Sequence, residues 1–198
     1  MDLLAAGLFL ASAVALLGSP GPAIAALVAV GRAKGLKQGI RYNMGLQVGL
    51  AVAAAASGLG LLSIFISLPS LAYLLSISAA IYLLYLAYQI ATAGVGPNSQ
   101  NDQIPASMLA GFFLGLSNPK AYVAFISLYA SHTVFPDEPS VDIFAKWLLC
   151  VGVMIVVDTI WLLIGVSLRR ANLSEKAERR LNICFAIKIL AATLTLLI

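Results

Sequence analysis

The sequence predicts an all-α polytopic membrane protein: six transmembrane helices forming two inverted three-helix repeats, with the first and fourth helices broken. Three observations carry that prediction. There are six long apolar runs, two proline-centred breaks at matching places in the two halves, and basic residues gathered in two links that fall on one face. The 198-residue chain is 61% hydrophobic and 10% charged, with a mean hydropathy of +0.98. A soluble domain is about 45–50% apolar and about 25% charged, so both an ordinary soluble domain and a disordered chain are excluded. Each spanning helix takes about 20 apolar residues, which the composition supplies for about six, with little left for an extramembrane module. A single transmembrane domain over 1–198 is expected, with halves at 1–93 and 106–198.

The first run extends from Leu3 to about Val30 and is broken by Ser19-Pro20-Gly21-Pro22. Asp2, with no Lys or Arg before the apolar stretch, is the reverse of a secretory leader, so this run reads as a retained helix. A basic link with Arg32, Lys34, Lys37 and Arg41 follows, then a Gly- and Ala-rich second run from about Tyr42 to Ser67. After Leu68-Pro69-Ser70 a third run reaches about Ala93, where a polar, turn-forming link (Gly94 to Pro105) ends it. The fourth run, about Ala106 to Ser131, is interrupted by Asn118-Pro119-Lys120. An acidic link with Asp137, Glu138 and Asp142 precedes the fifth run, about Ile143 to Leu168. Arg169, Arg170, Lys176, Arg179 and Arg180 then lead into the last run, about Leu181 to Ile198.

Short cytoplasmic loops keep Lys and Arg. The links after the first and fifth runs hold four and five of the 12 Lys and Arg residues, and six spans put both links on one face. That arrangement places both termini outside the cytoplasm in a multi-pass plasma (inner) membrane protein. The net charge of +4 is thus spread over loops. It does not form the basic face with interleaved aromatics that a nucleic-acid binder presents, so no nucleic-acid partner is expected. Cys150 and Cys184 lie within apolar runs without a close-spaced mate, and read as small buried hydrophobes. Neither a metal nor a cofactor is expected.

A proline removes a backbone donor and clashes with the carbonyl four residues back. In hydrocarbon an orphaned carbonyl must be satisfied by protein or water. Pro20 and Pro22 therefore free the neighbourhood of Leu16 and Gly18, and Pro119 frees that of Gly115. Gly21, between two prolines, permits backbone angles that no other residue takes readily. Each restarted helix offers free N–H groups suited to an anionic ligand group. An offset of about 98 positions lays Ser19-Pro20-Gly21-Pro22-Ala23 on Ser117-Asn118-Pro119-Lys120-Ala121. Each motif then opens a three-helix half, and three being odd, the second half enters from the opposite side. Broken helices facing each other across an inverted repeat are how many secondary transporters build a site.

Lys120, Asp158 and Lys188 are expected at membrane depth, where each unpaired charge costs about 2.5–3.5 kcal/mol. Pairing or access to water is therefore required. Asp158 is the acid among them: a proton carrier, a partner for a substrate ammonium, or half of an ion pair with Lys120 or Lys188. Lys188 reads best as snorkelling to the inner surface. Asn43 and Gln47, one turn apart, add polar lining. Gly45 with Gly49, and Gly111 with Gly115, have the small-xxx-small spacing of close helix packing. Tyr82, Tyr85 and Tyr88 read as core and interface aromatics, and His132 as a surface residue at the outer mouth.

Ser19-Pro20-Gly21-Pro22 followed by Gly31, Gly35 and Gly39 resembles the first-helix signature of the lysine-exporter family (LysE, with its homoserine/threonine-exporter branch RhtB). Tyr82 through Ala87, Gly111 through Ala121, and Asp158-Thr159-Ile160-Trp161 are similar to the same family, in the same order along nearly the whole chain. The chain departs from it at Leu50, where members commonly carry an acid, and at Ala186 and Lys188, where the last helix usually has glycines. The resemblance implies six helices, export of an amino acid or related small metabolite driven by the proton gradient, and a homodimer as a frequent assembly. On that reading the substrate-binding residues are Pro20, Gly21, Pro22, Asn43, Gln47, Asn118, Pro119, Lys120 and Asp158. N–H groups beyond Pro22 or Pro119, with Lys120, would hold a carboxylate, and Asp158 an ammonium or a proton. The first alternative is an inorganic-ion or metal transporter on a related scaffold, which calls for several acids, His or Cys at depth. An intramembrane enzyme would need a nucleophile with a base, and the chain's single histidine lies outside the runs.

Overall fold

A computed structural model describes residues 1–60, 69–92, 106–170 and 174–197. Among these residues there are seven helices and no strand: α1 (Leu3–Gly18), α2 (Pro22–Gly58), α3 (Pro69–Thr92), α4 (Met108–Leu116), α5 (Pro119–Tyr129), α6 (Pro139–Arg170) and α7 (Glu175–Leu197). The polar link expected at 94–105, Leu68 and the side chain of Tyr82 lie outside the described residues.

Both expected breaks are present. Pro22 and Pro119 each stand in the first turn of a restarted helix, where a missing N–H leaves no bond unmade. The axes bend by 61° between α1 and α2 and by 53° between α4 and α5. By length and composition, Pro139–Arg169 qualifies alone as a membrane span, and each bent pair qualifies jointly, giving one to three spans among the described residues.

The basic link after the first run is a correction. Arg32 to Arg41 is helical throughout except at Gly35, whose φ of 76° and ψ of −172° kink α2. Lys, Arg, Leu and Gln are good helix formers, so only the two glycines could interrupt a helix here, and of Gly35 and Gly39 only Gly35 does. A Cβ at position 35 would also stand 2.5 Å from an Arg169 guanidinium nitrogen.

The centre of the molecule is α2. From Pro22 to Arg32 it is buried on every side, the condition of a helix inside a core rather than on its surface. Its main partners are α6 and α4, while α3 packs chiefly on α7. The two glycine pairs meet each other. A Cβ on Gly45 would overlap the Met108 carbonyl and one on Gly49 the Phe112 carbonyl, while Gly111 sits against the Tyr42 carbonyl and Gly115 against that of Leu46. Backbone therefore lies on backbone where α2 crosses α4. The α2–α6 contact uses the same device, with Gly31 against the Leu162 carbonyl and Gly165 against that of Val28.

Outward faces are apolar. In α1 only Phe9 and Ala13 are buried, and Phe144, Leu148, Val156 and Ile160 line the open face of α6. Lys188, expected at membrane depth, is on the exposed side of α7, and Tyr85 and Tyr88 are exposed rather than in the core. These side chains fall on the helix faces turned away from the α3–α7 contact, a placement that hydropathy along the chain does not encode.

Candidate functional site

The first break leaves carbonyls of α1 without helical donors, and three side chains supply them. Ser19 Oγ donates to the Leu16 carbonyl at 2.9 Å, and Trp161 Nε1 on α6 donates to that of Gly18 at 3.3 Å. The ammonium of Lys120, on α5, donates to the Ser19 carbonyl. A residue of the second break thus completes the first.

Gly21 adopts φ −155° and ψ −171°. This is extended backbone open to any residue, so the angles that glycine alone permits are not used here. Its glycine is required for space: a Cβ would lie 2.6 Å from Lys120 Cδ. At the second break Asn118 is the N-cap residue of α5 but makes no side-chain cap bond, although Asn is among the best capping residues. Its Oδ1 is buried without a partner.

Asp158 lies midway along α6 and is only 4% exposed. Gln47 Nε2 donates to its carboxylate at 2.9 Å and to the Met154 carbonyl at 3.1 Å, with Asn43 Oδ1 at 3.5 Å. Gln47 Oε1 is buried without a partner. Lys120 is the cation whose charge Asp158 feels, and Asp158 the anion felt by Lys120.

Between these groups is a cavity of about 30 Å³. Gly21, Asn118, Lys120 and Asp158 contribute to its wall, with Leu16, Leu17, Leu50 and Met154 as apolar neighbours. At about 10–15 Å³ per water this holds about two waters, less than even a small amino acid fills. Its wall nonetheless has two electrical ends. Ala23 and Ile24, also lining it, belong to the first turn of α2, where N–H groups have no intrahelical acceptor and carry partial positive charge. Lys120 adds a full positive charge, and the Asp158 carboxylate supplies the negative end.

Of the nine residues expected to bind substrate, Gly21, Asn118, Lys120 and Asp158 reach the cavity. Gln47 is one hydrogen bond behind Asp158, and Asn43 is beyond Gln47. Pro20 is exposed, and neither Pro22 nor Pro119 lines the cavity; these three shape backbone. Leu50, Met154 and Ala124 also form walls, and in an apolar run nothing marks the wall of a cavity from the rest of a core. Trp161 could be found only by asking which donor reaches an orphaned carbonyl.

The family profile described as LysE type translocator matches residues 14–198, and the chain belongs to that family. It is therefore a membrane transporter rather than a member of an enzyme family. No curated protein and no solved structure matches the chain.

Proposed function

We propose, from membership of a translocator family, that this chain is a secondary exporter of an amino acid or a similar small zwitterion, coupled to protons. The observation that carries the proposal is the cavity where the two breaks meet, with cation-favouring and anion-favouring groups on one wall. The α2 N-terminus and Lys120 suit a carboxylate, and Asp158, oriented by Gln47, suits an ammonium. A zwitterion needs both ends; a bare cation or anion needs one. Protonation of Asp158 when the ammonium leaves would couple transport to the proton gradient. A metal ion would call for several ligating groups, and this cavity offers one carboxylate.

The arrangement we propose around the site has six spans in two inverted halves, 1–93 and 106–198, in the plasma (inner) membrane. Both termini are outside the cytoplasm, with a homodimer as the assembly. The pairing of a break in each half at one cavity supports the inverted repeat. With room for about two waters, the cavity has to widen to admit substrate, and rocking one half against the other would widen it.

Uptake of labelled amino acids by inverted vesicles under an imposed proton gradient tests the proposal. Transport is expected for the parent and lost in Asp158→Asn and Lys120→Ala. Normal, proton-dependent transport by both variants overturns the assigned roles.

A further inference from the structure

Two charged networks that the site does not use lie at opposite ends of the bundle. The first is centred on Lys146 in α6, 2% exposed, whose ammonium is 2.8 Å from the Asp142 carboxylate and 3.2 Å from the Tyr129 carbonyl at the end of α5. Asp142 Oδ1 accepts from the backbone N–H groups of Val134 and Phe135, at 2.6 and 2.9 Å. The Val134 carbonyl accepts from the Asp2 N–H at 2.8 Å, and the Phe9 ring lies 6.0 Å from the Lys146 ammonium. The next residue, Trp147, donates from Nε1 to the Ala51 carbonyl of α2 at 2.9 Å. This single cluster joins the start of α1 and the far end of α2, both in the first half of the chain, to α5, α6 and the link between them in the second.

The second network is at the other end. Arg32 of α2, 7% exposed, donates from Nη2 to Asn182 Oδ1 of α7 at 2.7 Å, with Nη1 4.0 Å from Glu178 Oε1. This also bridges the two halves. Its ion pair is the longer of the two, at 4.0 Å against 2.8 Å for Lys146 and Asp142.

The cavity is between them. Arg32 is eight residues along α2 from Ile24, about 12 Å at 1.5 Å per residue. Lys146 is twelve residues along α6 from Asp158, about 18 Å. On α6 the Arg32 end is marked by Leu162 and Val166, both against Gly31, so the two networks lie on opposite sides of Asp158. A buried charge pair is expensive to break by removing one partner, so it holds its end of the bundle closed until water enters to solvate the released charges.

We infer that the Lys146–Asp142 and Arg32–Asn182–Glu178 networks are the two gates of the transport cavity, each closing one end and each released in turn. The inference rests on the translocator reading but not on the identity of the substrate. The ion pair measures 2.8 Å at the Lys146 gate and 4.0 Å at the Arg32 gate.

The test uses the full chain in membranes, with Cys150→Ser and Cys184→Ser removing the native thiols and Ala124→Cys placing one in the cavity wall. A membrane-impermeant maleimide is applied separately from each side. With intact gates, labelling is slow from both. Adding Lys146→Ala is expected to speed labelling at least tenfold from the Lys146 side alone. Adding Arg32→Ala is expected to do so from the opposite side alone, and Lys146→Arg, which keeps a cation beside Asp142, is expected to stay slow. Acceleration from both sides at once signals collapse of the fold around Lys146 or Arg32 rather than a gate, and overturns the inference. So does no acceleration, or acceleration from the same side in both variants. Labelling needs no transported solute, so one-sided acceleration in a protein that moves no amino acid would sink the substrate proposal and leave the gates standing.

Discussion

At Asp158 a buried carboxyl group accepts from the Gln47 amide, so its acidity and its hydrogen bond can be separated by mutation. Asp158→Asn keeps the size and a partner for Gln47 Nε2 but removes the charge. Because burying a carboxylate charge is itself costly, the variant is expected to melt at or above the parent temperature while proton-driven transport falls by at least tenfold. Paired melting and vesicle-transport measurements check this, and a fall in both together would make Asp158 a structural residue. Gly21 offers a second test. A methyl at position 21 collides with Lys120 Cδ, so Gly21→Ala should displace the ammonium from the Ser19 carbonyl and impair transport. In a Lys120→Ala background the collision is gone, and Gly21→Ala should then have no further effect. Residues in direct contact are where such non-additivity is expected, and simple additivity in a double-mutant cycle would refute the contact.

At the scale of whole helices, stability depends on backbone-to-backbone crossings. Gly111→Ala pushes a methyl into the Tyr42 carbonyl and must separate α4 from α2; overpacking of this kind costs about 1–3 kcal/mol. Gly35→Ala asks an L-residue to take φ 76° with ψ −172°, a conformation that costs about 1–3 kcal/mol away from glycine. Gly152 is the control, because a Cβ there meets nothing within 4 Å. Gly152→Ala is therefore expected to stabilise α6 by about 0.5–1 kcal/mol through helix entropy. Denaturation in mild detergent ranks the three; equal effects would show that the crossings do not govern stability. How much of this was legible varies by element. Proline and glycine spacings are local signals, so the two breaks and the small-residue faces could be read directly from the sequence. The partner of each face could not, because spacing along one helix carries no information about which helix lies across from it. The continuity of α2 through Arg32–Arg41 was hidden for a different reason: charge marks a loop in hydropathy but is no obstacle to a helix.

Across the whole molecule, the same blindness applies to Lys146 and Arg32. Each sits near the end of an apolar run, where a cation reads as a loop charge that only sets orientation. The structure buries both, which requires tertiary contacts that no single run contains. Asp158 and Lys120, by contrast, stood out because they interrupt long apolar stretches. Orientation is where the two readings meet. Lys34, Lys37 and Arg41 near the Gly35 kink, Arg169 at the end of α6, and Lys176, Arg179 and Arg180 at the start of α7 are brought to one end of the bundle: Gly35 packs on Arg169, and Arg179 reaches the Ala91 carbonyl at 2.9 Å. Asp137, Glu138 and Asp142 are at the other end with Lys146. If the chain crosses six times, the first end is cytoplasmic, and α1–α2 and α4–α5 enter the membrane from opposite faces. Single cysteines at Lys37, Glu138 and Arg179, on a background without the native thiols, report this through an impermeant thiol reagent. Lys37→Cys and Arg179→Cys should react only in inverted vesicles and Glu138→Cys only in intact, wall-stripped cells. Reaction of positions 37 and 138 from the same face would mean an even number of crossings between them. The two breaks would then descend from the same side, and the proposed inverted repeat would have to be abandoned.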